Sequence, residues 1–294
     1  MNDDTEYVKL ARGRRLAYRE YGDPDGPLIV YCHGFPSSGR EARILHAAAV
    51  AQRAWIIAPD RPGYGESDYQ PDRTVKDWAN DIAELADDLA FDRFALIGVS
   101  GGAPYALSCA WGIPERISTC SLVCPLGPIY LNQVLEKMDW AARFNLSMPR
   151  HAPLLSEALF GPLTAVFLSM WPQTANTLRT ISAPPTDRVE LEDEETLRVL
   201  NQTIQDGMRG GARGARQDFL LYTQDWGIPL EKIELPIDLW HGEADKTVPV
   251  AHGRWYHAHL PHINARYFPN EGHFSLPLRY SEDILRASLT PPPT

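Results

Sequence analysis

Three side chains able to pass one proton among themselves stand far apart in this chain: Ser100, Asp245 and His273. Ser100 lies in Gly98-Val99-Ser100-Gly101-Gly102, after the apolar run Phe94-Ala95-Leu96-Ile97 and before Ala103-Pro104-Tyr105-Ala106-Leu107, which reads as the start of a helix. A serine on a sharp strand-to-helix turn reads as a nucleophile. Gly98 and Gly102 leave room for a strained turn that projects the hydroxyl, and the helix N-terminus favours developing negative charge. A serine hydroxyl is a weak nucleophile at neutral pH, so it needs a base, and the base needs an orienting acid. Asp245 follows the strand candidate Pro236 to Trp240, and His273 follows the strand candidate Ala265 to Phe268. Each reactive group therefore sits on a loop after a strand. In a parallel sheet such loops share one edge, where distant residues can meet.

The elements that must position these groups follow from periodicity. Tyr7 to Leu10 and Leu16 to Tyr21 read as edge strands, Leu28 to Tyr31 and Trp55 to Ala58 as buried strands, and Arg40 to Arg53 as helix. Val75, Trp78, Ile82, Leu85 and Leu89 recur at steps of three and four, an amphipathic helix whose start is expected at Thr74 with Asp77 three residues on. Phe94 to Ile97 leads to Ser100, and Ile117 to Val123 is a further strand. From about Gly127 to Gly227 no comparable buried strand occurs, and alternation resumes at Pro236. The simplest account is an α/β fold, a doubly wound and mostly parallel sheet with an inserted all-helical cap: core over 1–126, cap over 127–227, core again over 228–294.

On these residues the chain resembles α/β-hydrolase-fold enzymes of the serine-nucleophile type with a helical cap, over nearly its whole length. The resemblance rests on the Ser100 turn, on His33-Gly34-Phe35-Pro36, on Asp60-Arg61-Pro62-Gly63-Tyr64-Gly65-Glu66-Ser67, and on the Asp245 and His273 segments. It implies that Ser100 attacks a carbonyl carbon, that His273 takes its proton, and that Asp245 holds the imidazole. It also implies an oxyanion hole from the backbone N–H groups of Phe35 and Gly101; Pro36 has no N–H to offer. Serine at 100 disfavours the dehalogenase and epoxide-hydrolase chemistry that in this family uses aspartate there. Some relatives carry the acid after the preceding strand, but Val123-Cys124-Pro125-Leu126 offers no carboxylate. Asp225, Asp238 and Asp60 compete with Asp245, of which Asp238 falls inside a strand pattern and Asp60 inside a turn motif.

Other histidines have plainer readings. His33 and His241 precede glycines and are expected to shape loops. His252, His257, His259 and His262 crowd one helix and its exit, yet their spacing does not gather them on one face, and no metal or other cofactor is expected. The four cysteines, Cys32, Cys109, Cys120 and Cys124, are too few for a disulfide scaffold and read as buried thiols.

At 294 residues, 44% hydrophobic and 22% charged, the chain can build one large core with a lid. A formal charge of -10 disfavours nucleic acid and anionic membranes as partners. Arg209, Arg213 and Arg216 recur at helical spacing and read as a polar face of a cap helix, with the intervening glycines allowing close packing. The acidic start, Met1 to Glu6, shows no secretory signal, and a cytoplasmic location is expected. Ala152 to Trp171 contains Glu157, Pro153, Gly161 and Pro162 and reads as two short helices instead of a membrane span; Leu163, Val166, Phe167 and Met170 form an apolar stripe there. The chain is expected to act as a monomer or homodimer.

The expected partner is a small or medium, largely apolar substrate, and the expected reaction hydrolysis of an ester or lactone. Gly34, Trp140, Phe144, Phe167, Met170, Phe219, Tyr222 and Phe274 are candidate substrate contacts. Acyl transfer, carbon-carbon bond hydrolysis and perhydrolysis use the same constellation, and a slow-turnover ligand sensor could retain it. A proline-iminopeptidase-like activity would need a carboxylate for a free amine. The cap acids Glu190, Glu192, Asp193, Glu194 and Glu195 read instead as a solvated helix face.

Overall fold

The computed structural model describes residues 4–151 and 183–290. Eight strands form one sheet: β1 (Glu6–Lys9), β2 (Arg15–Gly22), β3 (Leu28–Cys32), β4 (Trp55–Pro59), β5 (Phe94–Val99), β6 (Ile117–Val123), β7 (Ile237–Gly242) and β8 (Ile263–Phe268). Their order across the sheet is β1-β2-β4-β3-β5-β6-β7-β8. β1 and β2 run antiparallel at one edge, and the strands from β4 to β8 are mutually parallel. The expected α/β class and mostly parallel sheet are present.

Alternation along the strands divides the core into two layers. Leu28, Val30 and Cys32 pack with Trp78, Ile82, Leu85 and Ala106 on one face, whereas Ile29 and Tyr31 pack with Ala48, Ala49, Ile284 and Leu285 on the other. Both faces of the parallel strands are thus covered, which is why β3 and β5 read as continuous apolar runs. The covering helices are α1 (His46–Ala51), α2 (Asp77–Asp88) and α3 (Ala103–Gly112). Burying each large apolar side chain of α2 stabilises by roughly 1.5–3 kcal/mol before entropy is counted. The α2 stripe lies where periodicity places it, but the helix begins three residues later than expected. Asp77 Oδ2 accepts from the Thr74 N–H at 2.7 Å, so the acid half of the capping interaction forms ahead of the helix. The helix expected over Arg40 to Arg53 is divided, with a 3-10 segment over Gly39–Leu45 before α1. A Cβ at Gly39 would stand 2.0 Å from the Ala58 carbonyl oxygen, and this contact with β4 fixes the tight entry.

All described elements between β6 and β7 are helical: α4 (Asn132–Leu135), α5 (Trp140–His151), α6 (Pro185–Glu192), α7 (Glu194–Gly207), α8 (Arg213–Tyr222) and a 3-10 turn at Leu230–Lys232. Gly214 on α8 packs against Gly63, close enough that a Cβ would lie 2.5 Å from the Gly63 carbonyl carbon. After β7 come α9 (Ala251–His259), α10 (Ser275–Arg279) and α11 (Ser281–Leu289). Among the described residues no helix is long and apolar enough to cross a membrane. The apolar stripe expected over Leu163 to Met170 lies outside the described residues.

Candidate active site

The sheet order reverses at β3, which has β4 on one side and β5 on the other. Loops leaving the C-terminal ends of such neighbours diverge and open a crevice. Ser100 stands directly after β5, the Gly34-Phe35 segment directly after β3, Asp245 after β7 and His273 after β8.

Ser100 has φ +52, a left-handed backbone conformation that costs a non-glycine residue about 1 kcal/mol or more. Its neighbours make the turn possible. A Cβ at Gly98 would come within 2.7 Å of the Ala106 side chain, and one at Gly102 within 2.0 Å of the Cys32 carbonyl oxygen.

His273 Nε2 lies 3.1 Å from Ser100 Oγ, and His273 Nδ1 lies 2.7 Å from Asp245 Oδ2. A carboxylate can only accept, so Nδ1 carries the proton and Nε2 is left to accept from the serine. Asp245 Oδ1 accepts from the backbone N–H groups of Thr247 and Val248, both at 2.8 Å, which locks the carboxylate. Burial would raise the Asp245 carboxyl, but the His273 imidazole with its hydrogen bond and the nearby His241 side chain overcome it and hold it below the ordinary range. Burial pulls the His273 imidazole down, and Asp245, with help from Asp187 and Glu41, more than compensates, leaving it above its ordinary value.

The rival acids are occupied elsewhere. Asp60 faces Arg19 and accepts from the Gly39 N–H, Asp238 pairs with Arg266, and Asp225 accepts from the Gly227 N–H. The loop histidines behave as loop shapers: His241 Nε2 donates to the Val248 carbonyl at 2.8 Å, and His33 Nδ1 donates to the Gly34 carbonyl at 2.9 Å. The crowded histidines point to different partners. His252 accepts from the Gly127 N–H, His259 stacks on Trp255 and His262 meets Glu234.

The oxyanion candidates are neighbours. A Cβ on Gly101 would lie 2.8 Å from Phe35 Cβ, and one on Gly34 would lie 3.6 Å from Ser100 Cβ. Among the described residues no turn, loop or cap hydrogen bond engages the Phe35 or the Gly101 N–H.

A cavity of about 820 Å³ opens over Ser100 and His273. Of the candidate contacts, Gly34, Trp140 and Phe274 line it. Phe144 does not; it is 63% exposed and borders a separate groove beside Trp140. Tyr222 is buried behind Gly101 instead of facing the cavity, because a buried phenol needs an acceptor and finds one in the Gly101 carbonyl at 2.8 Å. Phe219 also lies off the cavity lining, about 100° around α8 from Asp218, the residue that turns inward. Phe167 and Met170 lie outside the described residues.

Three acids that bear on the site are not singled out by the sequence, and Cys124, expected as a buried thiol and found as one, stands beside them. Asp187 on α6 accepts from the backbone N–H groups of His273, Phe274 and Ser275. Glu41 accepts from the Gly34 N–H at 2.8 Å and from the Ser37 hydroxyl. Asp218 on α8 pairs with Arg61 at 2.8 Å and with Arg73. Cys124 sits with its ligand atom within 4.8 Å of those of Asp245 and His273. Burial and the Asp245 charge push the Cys124 thiol well up, which disfavours the reactive thiolate form. The acids carry no local pattern that separates them from surface carboxylates; the position of Cys124 directly after β6 was the one signal available.

Residues 27–280 match the family model described as alpha/beta hydrolase fold. The chain belongs to the alpha/beta hydrolase fold family. It is a hydrolase. Among curated proteins this hydrolase is 26% identical over 293 residues to "Uncharacterized protein Mb2734" of Mycobacterium bovis, covering 96% of this chain and 80% of that one. It is 25% identical over 251 residues to "Bifunctional esterase/perhydrolase DCH" of Acinetobacter calcoaceticus, covering 83% of each. Among solved structures, the esterase EaEST from Exiguobacterium antarcticum superposes with TM-score 0.68 at 16% identity, over 98% of this chain and all of that one.

Proposed function

We propose that this hydrolase cleaves carboxylic esters or lactones of small to medium, largely apolar substrates through Ser100, His273 and Asp245. The observation that carries the reading is the relay Asp245 to His273 to Ser100, at 2.7 and 3.1 Å, on the floor of a cavity of about 820 Å³. Ser100 Oγ attacks the acyl carbon as His273 Nε2 takes its proton, and the carbonyl oxygen becomes an oxyanion facing the N–H groups of Phe35 and Gly101. Collapse breaks the bond to the alkoxy oxygen, which leaves as the alcohol with the proton from His273. Water then attacks the acyl-serine with His273 as base, releasing the carboxylic acid and restoring Ser100. Asp245 stays ionised throughout and stabilises the imidazolium. Phe35, Trp140 and Phe274 supply an apolar wall for the substrate. The segment 127–227 acts as the cap over residues 1–126 and 228–294.

The peracid branch of the same chemistry, in which hydrogen peroxide replaces water at the acyl-serine, is a second reading. It rests on the Acinetobacter relative whose name carries both activities.

A series of p-nitrophenyl acyl esters tests the assignment. Steady turnover of short acyl chains is expected, falling by about 10⁴-fold or more in Ser100→Ala and by a similar amount in His273→Ala, since the three groups act as one unit. Unchanged turnover in Ser100→Ala would discard the nucleophile, and a burst without turnover would mark a slow sensor.

A further inference from the structure

The Arg61 guanidinium is completely buried, and its hydrogen bonds converge on the segment that carries one oxyanion donor. Nη2 donates to the Gly34 carbonyl at 2.8 Å, Nη1 donates to the His33 carbonyl, and Nε donates to Asp218 at 2.8 Å. The Gly34 carbonyl belongs to the same peptide unit as the Phe35 N–H. That carbonyl receives a second bond, from His33 Nδ1 at 2.9 Å. The tautomer is settled by His33 Nε2, which accepts from the Arg61 backbone N–H at 3.2 Å. Burial and the adjacent Arg61 charge keep this imidazole neutral, so it holds its Nδ1 proton across the working range.

We infer that Arg61 and His33 are positioning residues for the oxyanion hole, acting through the Gly34 carbonyl to aim and polarise the Phe35 N–H. The inference rests on the proposed serine-hydrolase reading and deepens it. Hydrogen bonds in a chain polarise one another, so two donors on the Gly34 oxygen, one cationic, draw electron density from the amide and strengthen its N–H as a donor. An oxyanion has a full charge only near the transition state, so the gain appears there and little in the bound ester.

The buried cation is held by cap helix α8. Asp218 meets Arg61 and Arg73, accepts from the Tyr64 hydroxyl at 3.0 Å and also receives the Tyr105 hydroxyl. One turn on, Tyr222 donates to the Gly101 carbonyl at 2.8 Å, and its ring meets the Phe35 ring edge-on at 5.5 Å between centroids. Residues four apart share a helix face, so a single face of α8 braces both oxyanion segments. Asp218 neutralises Arg61 where an unpaired buried cation would be costly.

Arg61→Lys, His33→Gln and His33→Asn test this in the full chain, with p-nitrophenyl butyrate kinetics, inhibition by butylboronic acid and thermal unfolding on each. Gln can still accept from the Arg61 N–H but loses the Nδ1 donor; Asn keeps a donor at the Nδ1 position; Lys is a point charge that cannot serve both carbonyls and Asp218 together. Arg61→Lys and His33→Gln should each lower kcat on the order of 10-fold with KM changed by less than about twofold, since a donor is weakened and not removed. Boronate affinity should fall in parallel, and His33→Asn should recover most of the kcat. A folded Arg61→Lys and a folded His33→Gln with kcat within about twofold of wild type, or losses confined to KM, would overturn the inference. If one variant does not fold, the other alone decides. Failure of the underlying reading is separate: it appears in wild type as turnover that survives Ser100→Ala.

Discussion

Asp187 and His273 are joined across the gap between α6 and the β8-α10 loop: Asp187 Oδ2 accepts the His273 backbone N–H at 2.9 Å. Its other oxygen takes the N–H groups of Phe274 at 3.0 Å and Ser275 at 2.8 Å. One carboxylate therefore fixes the backbone of the proposed base and places negative charge beside its ring. Asp245, Asp187 and Glu41 all favour the imidazolium, whereas burial opposes it, and the net shift is upward. Because the base must be neutral to accept the serine proton, kcat/KM should fall as pH drops through a value above the ordinary imidazole 6.5. Asp187→Asn removes one of the charges that raise it, so the acid limb should move to lower pH. A pH profile of kcat/KM on a neutral ester checks this, and a limb that stays in place would remove Asp187 from the electrostatics of the base.

Ser100, Asp245 and His273 were readable because each follows a short apolar strand with a loop signature, and parallel strands deliver such loops to one edge. β3 and β5 were readable for a related reason: burial on both faces leaves an uninterrupted apolar run. Asp187, Asp218 and Glu41 were not, because what separates each from a solvated acid is a folded contact: arginines more than a hundred residues away for Asp218, backbone N–H groups of the His273 loop for Asp187, and the Gly34 N–H and Ser37 hydroxyl that the chain folds back onto Glu41. The aromatic character of Tyr222 suggests a place in the substrate wall, yet its hydroxyl and the facing Gly101 carbonyl turn it behind the site. Asp193 fits the reading of a solvated acidic face, and adds a role as helix cap by accepting from the Thr196 N–H at 2.8 Å.

Acid sensitivity should be concentrated in two buried carboxylates. Burial would raise Asp218, but Arg73 and Arg61 hold it below the ordinary 3.8, and Asp245 is likewise depressed by His273. A depressed folded pKa gives stability that is present above the unfolded value and is lost as pH falls toward the folded one. His273 has the opposite sign: its raised pKa contributes below about 6.5 and fades as pH climbs through the folded value. Urea midpoints should therefore drop steeply below about pH 4. Asp218→Asn should be less stable at neutral pH, because two buried arginines lose their counterion, and its midpoint should vary less over the acid range.

The four thiols should be silent in the native protein. Burial raises Cys32 to about 11 and pushes Cys109, Cys120 and Cys124 well above the ordinary thiol range, and all four are buried. A disulfide exchange reagent should titrate none of them before unfolding and all four in denaturant. Native-state labelling of Cys124 with matching loss of turnover would instead show that the loop beside Asp245 opens.

Two glycines near Ser100 should differ sharply when a methyl group is added. At Gly101 a Cβ would lie 2.7 Å from the Tyr222 hydroxyl and 2.8 Å from Phe35 Cβ, so one of the bracing contacts of the proposed oxyanion hole must yield. At Gly34 the nearest atoms are the Glu41 carboxylate oxygens at 3.2 and 3.3 Å, the far end of a side chain that can shift by a few tenths of an ångström. Neither glycine has a positive φ, so added strain comes from contact alone. Gly101→Ala is expected to lose about 100-fold in kcat, the scale of one oxyanion donor, with overpacking that costs about 1–3 kcal/mol of stability. Gly34→Ala should lose less than about tenfold, because its neighbour yields without moving either donor. Steady-state kinetics and thermal unfolding of the two variants side by side check the ranking. Equal losses at both positions would mean that the separation between Phe35 and Gly101 does not set the rate.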